Sequence, residues 1–67
     1  MRIELGMHVE VMTANGDRLE VVALSPVTNG RDLKIVWVAE LDEYAARGDA
    51  CYRIPWPADA VRELSRA

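Results

Sequence analysis

Residues 7–16 read MHVEVMTANG, and this stretch decides the fold. Apolar and polar side chains alternate from Met7 to Thr13, a pattern typical of a strand with one buried face. An Asn-Gly step follows directly, and this dipeptide is a strong signal for a hairpin turn. The stretch therefore predicts a first strand, a tight turn and an antiparallel return strand over residues 17–24.

The register of this hairpin follows from the requirement that residues opposite one another share a face of the sheet. A two-residue turn would set Val11 opposite Glu20 and mix the two faces. A type I turn with Gly16 as a left-handed bulge residue keeps one face apolar instead. The facing pairs are then Val11 with Leu19, Val9 with Val21 and Met7 with Ala23. The cost is Glu10 opposite Glu20 on the other face, a repulsion of about 0.2–1 kcal/mol, and we predict the bulged turn.

The middle of the chain predicts a third strand with two apolar faces. Residues 25–32 are rich in turn formers and include a second Asn-Gly step, so they predict a loop. Residues 33–39 then read LKIVWVA, in which odd-numbered and even-numbered positions are both mostly apolar, so both faces of a strand here would be apolar. Val22 and Leu24 also lie opposite the predicted core face. These residues together predict a second apolar patch that needs a cover, and they are the basis for expecting self-association.

A short helix over residues 40–48 is the candidate cover. Acidic residues fill its first turn and a glycine ends the pattern. Its apolar face consists of Leu41, Tyr44 and Ala45. Glu43 and Arg47 are spaced to pair at i,i+4. A helix of two turns is not stable alone, so we expect it to dock on the sheet.

The end of the chain predicts a short fourth strand, followed by a helical turn. The strand covers residues 51–54 and Pro55 ends it, since proline interrupts a ladder of hydrogen bonds. Residues 58–60 suit a single helical turn. Residues 61–64 fit either a last short strand or a C-terminal helix, and the local pattern leaves both open.

Trp56 lies between two prolines that stiffen the backbone around it, so either the core or a partner must hold its ring. The candidate aromatic binding surface consists of Trp37, Tyr44, Tyr52 and Trp56. The favoured interpretation is structural, with Trp37 in the core, Tyr44 pinning the helix and Trp56 capping an open end. A chain without phenylalanine needs its few aromatic residues for burial.

The ionisable residues form no pattern of a catalytic or metal site. His8 and Cys51 are the only histidine and cysteine, which excludes a disulfide framework and a spaced pair of metal ligands. Glu40, Asp42 and Glu43 form an acidic cluster that could bind a cation or a basic partner, although favourable charge at a helix N-terminus also explains them. No phosphate-binding loop or catalytic triad pattern occurs. We expect no metal, no cofactor and no enzymatic activity from a single chain.

Length and charge restrict the class of protein further. Sixty-seven residues make one small domain, residues 1–67, with a limited core. Eight basic against eleven acidic residues give a net charge of −3, which disfavours nucleic-acid binding. A nucleic-acid binder would need several scattered arginines on one face: Arg2, Arg18, Arg31, Arg53 and Arg62. No run approaches the ~20 apolar residues of a membrane span, and no signal-peptide pattern opens the chain, so we expect a cytoplasmic protein.

The order of these elements resembles that of the SH3-like small barrels. The resemblance covers most of the chain and is carried by residues 6–11, the turn at 15–16, and residues 35–38 and 54–64. It implies a mainly β fold: an SH3-like small barrel of four to five antiparallel strands with one short inserted helix.

Two further resemblances concern the second half of the chain. Its ending is similar to that of the type II dihydrofolate reductases, whose small barrels tetramerise around a central pore. Residues 51–54 stand where those enzymes have a Val-Gln-Ile-Tyr pore strand, so the likeness implies shape and self-association and not that chemistry. The Trp-Val, Glu-Tyr and Pro-Trp-Pro-Ala-Asp segments also resemble small uncharacterised proteins of actinobacteria and their phages, which imply no function.

The sequence thus predicts a small interaction or assembly module that binds a protein partner and associates with itself. The alternatives are an oligomeric ligand-binding protein or enzyme with a site formed across subunits, and a weak nucleic-acid binder. A binding module predicts an exposed aromatic groove near Trp56 and Trp37. A site shared between subunits predicts a symmetric central cavity lined by the fourth strand.

Overall fold

The computed structural model of this chain describes residues 3–64. Its strands are β1 (His8–Met12), β2 (Arg18–Ala23), β3 (Thr28–Asn29), β4 (Lys34–Glu40), β5 (Ile54–Pro57) and β6 (Val61–Glu63). Its helices are α1 (Leu41–Arg47) and two 3₁₀ helices, Gly48–Ala50 and Ala58–Ala60. The fold is therefore mainly β with one short inserted α-helix, as the sequence predicted.

The strands form one antiparallel sheet in the order β6-β1-β2-β4-β5, and this sheet curls into a half-barrel. The two-residue β3 lies on the same side of β4 as β2 does, and it pairs with the start of β4. β5 and β6 are the edges of the sheet, and the 3₁₀ helix Ala58–Ala60 connects them. The predicted small barrel of four to five antiparallel strands is confirmed, with β3 as an addition.

The first hairpin has the bulged register that the sequence predicted. Val9 lies opposite Val21, and Val11 lies opposite Leu19. The amide of Gly16 donates a hydrogen bond of 3.0 Å to the carbonyl oxygen of Thr13. Gly16 has a φ of +87°, the left-handed conformation that a glycine bulge requires.

The two glutamates that face each other across this hairpin each have a basic neighbour. Glu10 lies opposite Glu20, as predicted. The Oε1 of Glu10 is 3.8 Å from Nε of Arg18, and the Oε2 of Glu20 is 2.8 Å from Nδ1 of His8. An exposed ion pair such as Glu10–Arg18 contributes up to about 1 kcal/mol, which is similar in size to the predicted repulsion.

The main core is aliphatic and lies on the inner face of the curled sheet. Its largest fully buried side chains are Val9, Val11, Val36 and Val38. Met7, Ile54, Trp56 and Ala58 pack against this core and are half-buried. Valine side chains therefore form most of this core, and the indole of Trp56 packs at its margin.

Two residues assigned to the core from sequence lie elsewhere. Trp37 falls between Val36 and Val38 in β4, so its side chain faces the opposite side of the sheet, and it is half-buried there. The interpretation that Trp37 fills the core is therefore wrong. Leu19 has the predicted register but is 52% exposed, because the pairing of β2 with β4 begins only at Val21.

A second buried patch lies outside the main core. Val22 and Ala39 face each other in the ladder between β2 and β4, and both are buried. α1 contacts both of these strands, which is the position predicted for a cover. The chain therefore buries Val22 by itself, and this part of the argument for self-association no longer requires a second copy.

The prolines lie inside β5, where the sequence predicted that Pro55 ends a strand. β5 covers Ile54–Pro57, so the predicted strand over residues 51–54 is displaced toward the C-terminus. A proline has no amide hydrogen to donate. In an edge strand, the backbone N–H and C=O groups of every second residue point away from the neighbouring strand and form no ladder hydrogen bond. Pro55 and Pro57 alternate with Trp56, so an edge position accommodates both without loss of a ladder hydrogen bond.

The loop predicted over residues 25–32 contains an interruption and a short strand. Residues 25–27 leave the ladder between β2 and β3, which shifts the register against β4. The Oγ of Ser25 accepts a hydrogen bond of 3.2 Å from the amide of Trp37, which would otherwise lose its partner at this point. At the end of the chain, residues 58–60 form the predicted helical turn, and β6 shows that the segment after it is a strand.

Candidate functional site

A groove opens at one end of the half-barrel, where the turn after β1 meets β5 and the 3₁₀ helix that follows it. It has a volume of about 490 Å³ and is open to solvent. Its lining residues are Met12, Thr13, Ala14, Trp56, Pro57, Asp59 and Ala60. We call it the Trp56 groove, since this indole is its largest side chain.

Trp56 is positioned by three features of the sequence. It lies opposite Val36 in the ladder between β5 and β4, so its ring faces the core side of the sheet. Pro55 and Pro57 on either side are exposed and restrict the backbone angles of the strand. The indole Nε1 donates a hydrogen bond of 3.3 Å to the carbonyl oxygen of Met12. The ring therefore packs against the core with one part and lines the groove with another.

The chemistry of the groove is that of a binding surface. Met12 is 43% exposed and offers a flexible apolar side chain. Asp59 is exposed and is the single ionisable side chain among the described residues that line the groove. The Oγ1 of Thr13 already accepts a hydrogen bond of 3.2 Å from the amide of Asp17. These groups suit contact with an apolar side chain, with one carboxylate at the margin.

The four predicted aromatic residues do not form one surface in the described part of the chain. Tyr52 is 72% exposed and lines a small pocket of about 110 Å³ with Glu40, Glu43 and Ile54. Trp37 lies opposite Pro55 on the face of the sheet away from the main core. Tyr44 is half-buried on α1. Trp56 alone of the four lines the large groove.

The acidic cluster has one member with a clear structural role. The Oε2 of Glu43 accepts a hydrogen bond of 2.9 Å from the amide of Tyr52 and lies 3.4 Å from Nε of Arg47. The predicted i,i+4 pair is thus confirmed, and the same carboxylate ties the chain after α1 to the helix. Glu40 precedes α1 and makes no capping hydrogen bond with its side chain, and Asp42 is exposed in the first turn.

The remaining candidate groups are dispersed. Within residues 3–64, no group of three or more histidine, cysteine, aspartate or glutamate side chains is placed to hold a metal ion. His8 is exposed, as predicted, and Cys51 is buried. No helix of the described segment is long and apolar enough to cross a membrane.

Of the arginines proposed for nucleic acid, two come close together. Arg18 and Arg62 line one hollow, which also contains the carboxylates of Glu10 and Asp59. Arg53 donates a hydrogen bond of 3.5 Å from Nη2 to the carbonyl oxygen of Asp49, in the 3₁₀ helix that precedes it. Arg31 is exposed in the loop before β4, and Arg2 lies outside the described residues.

Several groove residues could not be found by sequence reasoning. Ala14 belongs to the first turn and Ala60 to the last helical turn, and only the curling of the sheet brings these segments together. Asp59 gave no signal beyond favourable charge at the start of a helical turn. Trp56 was the exception, because the flanking prolines single it out in the sequence.

Comparison with known proteins gave no relative: no protein-family model, no curated protein and no solved structure matches this chain. The resemblance to SH3-like proteins therefore stays a prediction about family, beside a confirmed fold class.

Proposed function

We propose that this chain is a small interaction module that binds an extended segment of another protein chain in the Trp56 groove. The observation that supports this proposal is an indole that is half-buried in an open, mostly apolar groove. Tryptophan is enriched among the residues that contribute most to protein–protein binding, where polar groups surround a central apolar contact. The occupant we expect is a segment that places one apolar side chain against the ring of Trp56.

The hydrogen bonding of Trp56 limits how it can recognise a partner. Its N–H already donates to the carbonyl of Met12, so the exposed part of the ring offers apolar contact rather than a free donor. Asp59 at the margin can accept a hydrogen bond from a donor of the bound segment. The groove is thus suited to one buried apolar contact and one polar contact at its edge.

Pre-organisation also supports a binding role. Pro55 and Pro57 restrict the strand that carries the ring, and the hydrogen bond to Met12 fixes the indole plane. A rigid aromatic side chain loses little conformational entropy when a partner binds. The groove can therefore bind a short segment with a small contact area.

Self-association is the alternative form of this proposal, with a second copy as the occupant. Sedimentation equilibrium distinguishes the two. A mass of 7.5 kDa across the micromolar range makes the partner a different protein. A larger mass that falls to 7.5 kDa when the groove is blocked makes the partner a second copy.

The proposal can be tested by selecting peptides from a random display library against the protein and mapping the selected peptides by NMR. Ala14→Glu adds a charged side chain to the groove, and Ala46→Glu adds the same side chain to an exposed position on α1. We expect selected peptides to bind the Ala46→Glu variant normally and the Ala14→Glu variant about tenfold more weakly or worse. Peptides that bind both variants equally would contradict the proposal.

A further inference from the structure

A second groove lies on a different part of the surface, where the start of β2 meets the start of α1. It has a volume of about 400 Å³ and is open. Its lining residues are Leu19, Glu20, Val21, Glu40, Leu41 and Asp42. None of these residues lines the Trp56 groove, so the two surfaces are separate.

The floor of this second groove is apolar for a reason given by the strand pairing. Leu19 precedes the residues of β2 that pair with β4. No strand therefore lies beside it on the β4 side, and its side chain is 52% exposed. Leu41 begins α1 and is half-buried beside it. Leaving a leucine exposed next to a second leucine costs solvation free energy that a docked partner would recover.

The margin of the second groove is entirely acidic. Glu20, Glu40 and Asp42 are the charged residues that line it. Glu40 also lines the small pocket with Glu43 and Tyr52, so the acidic margin continues past α1 to an exposed aromatic ring. We call the two adjoining pockets the acidic strip.

Basic side chains of the same chain approach only part of this strip. His8 approaches Glu20, and Arg47 approaches Glu43. The ion pairs among the described residues include neither Glu40 nor Asp42. These two carboxylates therefore have no basic partner within the described residues, and they lie beside the exposed Leu19 and the half-buried Leu41.

From this combination we propose that the acidic strip docks a basic, extended segment of a partner protein in which leucine-like side chains alternate with lysine or arginine side chains. The apolar floor would receive the aliphatic side chains, and the carboxylates would receive the cations. The exposed ring of Tyr52 offers a further contact for a lysine or arginine, since cations are attracted to aromatic faces.

The probe for this proposal is a blocked hexapeptide of alternating lysine and leucine, titrated into the isotope-labelled protein. We expect shifts of the amide signals of Leu19, Leu41 and Tyr52 and an affinity that falls as salt is added. A hexapeptide of alternating lysine and serine has the same charge without the apolar side chains. Equal binding of the lysine–serine peptide, or shifts only outside the strip, would overturn the proposal.

Charge-matched variants separate docking on the strip from general attraction to an acidic protein. Glu40→Lys with Asp42→Lys reverses two charges in the strip, whereas Asp32→Lys with Glu63→Lys makes the same change at exposed positions elsewhere. We expect the first variant to lose affinity for the lysine–leucine peptide by about tenfold or more, and the second to lose much less. Equal losses would show that net charge alone attracts the peptide.

A variant of the apolar floor completes the test. Leu19→Ser removes a side chain that is already half in solvent, so we expect the protein to stay folded by circular dichroism and its affinity for the lysine–leucine peptide to fall several-fold. A folded Leu19→Ser protein with unchanged affinity would contradict the role given to the floor.

Discussion

The indole Nε1 of Trp56 donates a hydrogen bond of 3.3 Å to the carbonyl oxygen of Met12, a residue 44 positions earlier in the chain. This bond joins the edge strand β5 to the end of β1. It therefore links the turn end of the first hairpin to the last third of the chain, and it holds the ring of Trp56 at the Trp56 groove.

Trp56→Ala should lower the free energy of unfolding by about 2 kcal/mol. Loss of a fully buried aromatic side chain typically costs about 3–5 kcal/mol, and the loss is smaller here because the ring of Trp56 is only half-buried. Trp56→Phe keeps most of the apolar contact and should lose less. Chemical denaturation of both variants measures this. An unchanged midpoint for Trp56→Ala would mean that the ring contributes nothing to the core.

Gly16→Ala should destabilise the protein by about 1 kcal/mol, because an L-residue with a side chain is strained at a φ of +87°. Gly16→Asn is the matched comparison, since asparagine tolerates the left-handed region better than alanine does. Thermal unfolding of the two variants should rank asparagine above alanine. The reverse ranking would contradict the bulged turn.

Val22→Ala should lower the free energy of unfolding by about 2 kcal/mol, because Val22 is buried although it lies outside the main core. Val27→Ala makes the same chemical change in an exposed loop and should cost less than about 0.5 kcal/mol. Urea denaturation of the two variants tests whether the chain covers this patch by itself. Similar small losses would mean that Val22 is not covered in solution.

Cys51 should react slowly with a thiol reagent in the native protein, because its side chain is buried. A variant that carries Ala50→Cys and Cys51→Ala places the thiol at an exposed neighbouring position and should react rapidly. The two rates should become equal in denaturant. Rapid native reaction of Cys51 would contradict the burial of its side chain.

The parts of the fold that the sequence predicted are those in which neighbours in sequence decide the outcome. The register of the first hairpin follows from one glycine and from the alternation on both sides of it, so Val9 opposite Val21 could be derived. The Glu43–Arg47 pair is equally local, since both residues lie on one short helix.

The parts that were wrong depend on which strand becomes an edge and where a partner strand begins. Pro55 lies inside a strand because β5 has a free side, and Leu19 is exposed because β4 pairs with β2 only from Val21 onward. Trp37 could not be assigned to a face, since apolar residues occupy both parities of β4. The Trp56 groove arises from the curling of the whole sheet, which no local pattern contains.

The most direct test of the proposed function follows the indole N–H signal of Trp56 in NMR spectra while a selected peptide is added. Our account predicts that this signal shifts with the peptide, that Ala14→Glu abolishes the shift, and that Ala46→Glu leaves it intact. Binding of the selected peptide with the Trp56 indole signal unmoved would contradict the Trp56 groove as the docking site.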